Sequence, residues 1–157
     1  MEPGGTESDP LHEVLRAWDI EARRTEPVEA GHINRTYRVD TDDASYALQW
    51  VNPIFDPAIH LDIQVVTGQL HAAGLVTPRL VPAGERLWIE AAGGGVWRLM
   101  TWVAGEMLLR ADGPARCREA GRLLGSFHRA LWDLDHEFCQ ARIGVHDTAR
   151  HLAALEQ

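Results

Sequence analysis

The sequence predicts an α+β fold built on an antiparallel sheet. Two strand-like runs, Asn34 to Val39 and Ser45 to Val51, flank Thr41-Asp42-Asp43-Ala44, which has the composition of a hairpin turn. The predicted elements run helix, three strands, helix, strands, helices, with no parallel βαβ unit among them.

The first helix starts at Asp9-Pro10, an N-cap followed by proline in the first turn. Leu11, Val14, Leu15 and Trp18 follow at helical spacing. A strand from Thr25 leads into Gly31, and the hairpin comes next. Asn52-Pro53 breaks its second strand. Asp56-Pro57 opens another helix by the same capping logic, with Ile59, Ile63, Val66 and Leu70 as its apolar stripe and Gly74 as its stop. Pro78 to Val81, Leu87 to Glu90 and Val96 to Val103 are further strands, punctuated by Ala83-Gly84 and Gly93-Gly94-Gly95. Gly113-Pro114 opens the longest helical pattern, whose face comprises Ala120, Leu123, Leu124, Phe127, Leu131 and Leu134. A last helix begins at Asp147 and carries Leu152 and Leu155; no glycine, proline or basic turn closes it, so the chain is expected to be truncated there.

Composition narrows the function. A formal charge of −8 argues against nucleic-acid binding, which needs clustered cations. No apolar run approaches the roughly 18 residues of a membrane span, and the opening MEPGGTESDP lacks the regions of a signal peptide. Cys117 and Cys139 are expected to be reduced thiols. A cytoplasmic protein fits these features. All 15 basic residues are arginine, which rules out Schiff-base chemistry and the lysine of a Walker loop.

Three segments invite a chemical reading. GHINRTYRV, Gly31 to Val39, sets a glycine and the donors Asn34 and Thr36 between two strands, where backbone N–H groups can approach a phosphate; alone it is also an ordinary hairpin. In YALQWVNP, Tyr46 to Pro53, strand alternation puts Ala47, Gln49 and Val51 on one face and Tyr46, Leu48 and Trp50 on the other. The stripe of the first helix is the expected cover for the second set. WRLMTWVAGE, Trp97 to Glu106, is an apolar strand running into a glycine-ended loop, either a core strand with a turn or a hinge offering backbone groups to a ligand.

Together with VVTGQL, VTPRLVP and GVHDTARHL, these segments, in this order, resemble the family of aminoglycoside and choline phosphotransferases, with the N-acetylhexosamine 1-kinase branch nearest. The resemblance runs from about Glu29 to the chain end. It implies a protein-kinase-like N-terminal lobe, an antiparallel sheet plus helix, with ATP bound beside it. Residues 1–9 would be a flexible tail, 10–103 the lobe with its N-terminal helix, and 104–157 the hinge and first helices of a truncated C-terminal lobe. Gly31, His32, Ile33, Asn34 and Thr36 would cover the phosphates. Ala47 would lie against adenine, and Met100 at the back of its pocket. Thr101 and Val103, with Trp102 between them, would grip its edge through the backbone. Gln49 stands where most kinases have a phosphate-holding lysine, and either Gln64 or Asp62 would be its partner from the helix, Gln64 being preferred. The implied ligands are an adenine nucleotide, a small-molecule acceptor and, in the complete architecture, Mg²⁺.

The catalytic pattern of such enzymes, His-x-Asp with Asn five residues after the Asp and then a second Asp-containing motif, is absent, so no catalytic or metal-binding residue is assigned. Asp133-Leu134-Asp135 is better explained as a solvated helix end, and no HExxH, zinc quartet or Gly-x-Ser-x-Gly is present. Two functions remain open: the N-terminal portion of an ATP-dependent small-molecule phosphotransferase, inactive alone, or a non-catalytic nucleotide-binding or interaction module.

Overall fold

A computed structural model describes residues 10–29, 33–91, 94–108, 110, 112–139 and 147–155. The tail expected over 1–9 lies outside them. Helix α1, Pro10–Leu15, tightens into a 3₁₀ turn over Arg16–Trp18. Strands β1 (Arg24–Val28), β2 (Arg35–Asp40) and β3 (Ser45–Val51) follow, then helix α2 (Ile59–Ala72). Strands β4 (Leu80–Val81), β5 (Ile89–Glu90) and β6 (Val96–Thr101) complete the sheet, and helices α3 (Pro114–Ala130) and α4 (Thr148–Leu155) end the chain's described part. The sheet order is β1-β2-β3-β6-β4, with β5 also on β6, and every pairing is antiparallel. The α+β architecture predicted from the sequence is the one observed.

The hairpin turn forms as its composition suggests: Thr41 N–H donates to the Ala44 carbonyl at 2.9 Å, and the Thr41 hydroxyl accepts from the Asp43 and Ala44 amides. At the next break, Asp56 Oδ1 accepts the Ala58 amide at 2.8 Å, which sets the chain up to enter α2 at Ile59.

Period-2 alternation sorts the sheet into two faces. On one, Val39, Leu48 and Leu99 are fully buried against Val14, Leu15 and Trp18 of the first helix and its 3₁₀ turn, with Tyr37, Tyr46 and Trp97 packed at the edge. This is the cover expected for Tyr46 and Leu48. Burying a leucine or valine side chain contributes roughly 1.5–3 kcal/mol, so this layer is what holds α1 to the sheet. The other face carries Thr36 and Arg38 from β2, Ala47 and Gln49 from β3, and Arg98 and Met100 from β6.

Two helices depart from their predicted faces. The buried residues of α2 are His60, Asp62, Thr67 and Leu70, so polar groups take much of the face assigned to Ile63 and Val66. On α3 no residue is buried; Leu123, Leu124 and Phe127 are exposed, while Leu131 and Leu134 beyond it are half-buried. Helical periodicity identifies an apolar stripe but not what covers it. No helix among the described residues is long and apolar enough to cross a membrane.

Candidate functional site

The antiparallel registers place Thr36 opposite Gln49 and Gln49 opposite Arg98, so three polar side chains stand in a row across β2, β3 and β6. They are hydrogen-bonded in sequence. Arg98 Nε donates to Gln49 Oε1 at 2.8 Å, and Gln49 Nε2 donates to Thr36 Oγ1 at 2.9 Å. A guanidinium only donates, so the amide oxygen must face Arg98 and its nitrogen Thr36. The Thr36 hydroxyl, accepting from Gln49, keeps its own hydrogen to donate onward. Ala47 lies beside Gln49 on the same face, opposite the buried Met100. The row is half-exposed, one open wall of the sheet.

Arg38 shares this wall but is already neutralised. Its Nε meets Asp40 Oδ1 at 2.9 Å, and its guanidinium carbon lies 5.1 Å from the centre of the Trp102 ring. Hydrogen bonds from Ser45, at 2.5 Å, and from Arg38 hold the Asp40 carboxyl below its ordinary pKa.

At the end of β6 the chain leaves the sheet with one backbone acceptor, the Thr101 carbonyl, outside the ladder among the described residues. Thr101 N–H donates to the Arg79 carbonyl at 2.8 Å. The return bond goes elsewhere: Arg79 N–H donates to the Thr101 hydroxyl at 3.0 Å, not to the Thr101 carbonyl as a regular ladder would require. Trp102 N–H then donates to the Ser45 carbonyl, and Val103 is exposed.

The remaining expected site residues are distributed unevenly. Gly31 and His32 lie outside the described residues. Ile33 is exposed. Asn34 is a brace: its Oδ1 accepts the Asn52 amide at 3.0 Å, and Asn52 Nδ2 donates back to the Ile33 carbonyl at 3.3 Å. The preference for Gln64 as partner of Gln49 is corrected. Gln64 is exposed on α2, and the amide of Gln49 is taken up by Thr36 and Arg98 instead. Asp62 is buried but points to another task. Its Oδ1 accepts from His136 Nε2 at 2.8 Å and from the Cys139 amide at 2.9 Å, fastening α2 to the segment after α3. His60-Leu61-Asp62 has the His-x-Asp spacing, yet it sits inside α2 with Thr67 five residues on, and Asp62 is committed to this tie.

Arg98 and His60 were not singled out in the sequence. Alternation would have found Arg98, two residues before Met100 on the same strand face. His60 is fully buried and stacks on Trp88 with ring centres 5.1 Å apart. Its Nδ1 donates to the Pro57 carbonyl at 2.7 Å, while its Nε2 has no hydrogen-bond partner among the described residues. Burial lowers its pKa against the effect of the Pro57 bond, and the nearby Arg98 charge lowers it further.

A cavity of about 870 Å³ lies on the opposite face, lined by Leu11, Val14, Arg35, Tyr37, Trp50 and Trp97. None of the expected nucleotide-site residues among those described lines it. A cavity forms there because α1 covers only part of an aromatic sheet face; size alone gives it no tie to the polar row.

Two comparisons bear on this arrangement. A solved structure titled as the crystal structure of aminoglycoside phosphotransferase APH(4)-Ia superposes with a TM-score of 0.57 at 13% identity, over 80% of this chain and 40% of that one. The shared fold is protein-kinase-like, an antiparallel sheet with helices, and the chain spans about two-fifths of that protein's length. The sequence profile of the phosphotransferase enzyme family, APH, matches residues 24–156, from the first strand to the last helix, and the chain belongs to that family.

Proposed function

We propose that this chain is the nucleotide-binding portion of an ATP-dependent small-molecule phosphotransferase, acting in the cytoplasm on a sugar, amino sugar or aminoglycoside-like acceptor. The observation that carries the reading is the hydrogen-bonded row Thr36–Gln49–Arg98 beside Ala47 and Met100 on the sheet face that α1 leaves uncovered. The donors fit a polyphosphate: a hydroxyl with a free hydrogen, an amide of fixed orientation and a guanidinium. The small Ala47 leaves room for a flat ring, and the Thr101 carbonyl, relieved of its ladder bond, is available to accept from the adenine amino group. Bound ATP would supply the transferable phosphoryl group; these residues would bind and orient it. The sugar and amino-sugar preference rests on the likeness of GHINRTYRV and YALQWVNP to the N-acetylhexosamine 1-kinase branch.

Within these 157 residues no His-x-Asp precedes an Asn at the required spacing, so this polypeptide is expected to bind nucleotide without transferring phosphate. That absence also favours a second reading, a non-catalytic nucleotide-binding module. Mg²⁺ would be held by residues of the complete family architecture, and none here is assigned to it.

Calorimetry with MgATP tests the nucleotide reading. With one wall of the cleft in place, a Kd in the range of about 0.1–1 mM is expected. Incubation with MgATP and a panel of amino sugars, aminoglycosides and choline should give no turnover. Absence of any adenine nucleotide binding would remove the proposal, and turnover freed of contaminating kinases would remove its inactive part.

A further inference from the structure

We infer that Arg98 is the phosphate-binding cation of this lobe, so that the work most kinases give to one lysine is divided here between two residues, Gln49 as donor and Arg98 as charge. The inference rests on the nucleotide reading above.

A triphosphate needs positive charge as well as donors, because a hydrogen bond with an ionised partner is roughly twice as strong as a neutral one. Gln49 is neutral, and the chain has no lysine, so a cation on this wall has to be an arginine. Three arginines face it by register, and Arg24, at the β1 edge, is paired with Glu26. Arg38 is matched by Asp40. Arg98 has no carboxylate within ion-pair distance among the described residues, and its one side-chain hydrogen bond among them goes to the Gln49 amide oxygen. That bond uses Nε, so both terminal nitrogens of the fork remain for an anion.

The neighbours of Arg98 reinforce this. Burial lowers its pKa, and among the described residues only the neutral Gln49 amide offsets that, so holding the charge there is unfavourable in the free protein. His60 beside it has its hydrogen on Nδ1, bonded to Pro57, and a lowered pKa, so it adds no second charge near neutral pH. Gln49 also gains from the contact. An amide whose oxygen accepts from a cation is polarised, which strengthens the N–H donors on its nitrogen. One of these bonds Thr36, and the other is left to face a phosphate oxygen. A guanidinium with no carboxylate partner among the described residues, coupled to an oriented amide, suits an anion.

Calorimetry on the 157-residue chain, comparing adenosine with ADP, separates the phosphate contribution from adenine binding. The wild type should bind ADP at least about tenfold more tightly than adenosine. Arg98→Met should abolish that preference, leave adenosine binding unchanged, and keep or raise the melting temperature, because an unpaired half-buried charge has been removed. Gln49→Lys combined with Arg98→Met, which moves the cation from β6 to β3, should restore much of the preference. Arg98→Lys should retain part of it and serves if the methionine variant does not fold. Equal affinity of the wild type for ADP and adenosine, or an undiminished preference in Arg98→Met, would overturn the inference while leaving adenine binding intact. Binding of neither ligand would bring down the nucleotide reading and this inference together.

Discussion

Trp18 Nε1 donates to the carbonyl of Val81 at 2.7 Å, joining residues 63 positions apart in the chain. The indole is buried, and its bond ties the 3₁₀ turn after α1 to strand β4, at the far edge of the sheet from β1. Trp18→Phe keeps most of the packing and removes the only donor. The expected loss is about 1 kcal/mol, a few degrees in Tm. Thermal unfolding checks it, and an unchanged midpoint would show that the bond contributes nothing net.

How much of this was legible beforehand follows the physics of each signal. The bounds Ser45–Val51 are legible in the sequence, because alternation and a turn of four polar or small residues fix a hairpin locally. The side-chain faces followed from that register, so Ala47 and Gln49 could be assigned together, and the helix covering Tyr46 and Leu48 could be named. The partners of Gln49 could not. Arg98 is 49 residues away, and which strand pairs with β3 depends on tertiary packing. The buried face of α2 is not legible from helical spacing for a related reason. Its burial is decided by His136, Cys139 and Trp88, contacts that reach well beyond any helical period.

Gly95 is a position where backbone and packing both demand glycine. Its φ is +92°, and a Cβ built there would lie 2.2 Å from Trp50 Nε1. Gly95→Ala must shift the β5–β6 turn or the indole, and should cost upwards of about 1–3 kcal/mol. Denaturant unfolding measures the loss, and nucleotide binding on the opposite face should change little. A variant of wild-type stability would show that the turn rearranges freely.

His60 predicts how stability varies with pH. Folding keeps its imidazole neutral, while the unfolded chain takes up a proton near pH 6.5. The unfolded state therefore binds more protons below that pH. Stability is full above it and falls as the pH drops, by up to about 1.4 kcal/mol per pH unit for this one group. His60→Asn keeps a donor near the position of Nδ1 but does not titrate, so its stability should depend less steeply on pH between 7.5 and 5. Equal slopes in urea unfolding would clear His60 of the effect.

The hydroxyl of Thr101 makes the most specific claim about the adenine edge. In a regular antiparallel ladder the Arg79 N–H would donate to the Thr101 carbonyl, but here it donates to Oγ1 at 3.0 Å. The hydroxyl thus acts as a decoy, holding Arg79 in place while the carbonyl at the end of β6 has no partner among the described residues. Thr101→Val has nearly the same shape and lacks this acceptor. Arg79 N–H, otherwise left unsatisfied, should move onto the carbonyl, which strengthens the β4–β6 pairing and removes the acceptor proposed for the adenine amino group. The fold should therefore keep its stability while adenosine binding weakens several-fold, the size of about one net hydrogen bond. Since the phosphate wall is untouched, ADP should remain favoured over adenosine by the wild-type ratio. Calorimetry with both ligands checks the two halves of the claim; undiminished adenosine affinity would mean that the ring is held elsewhere.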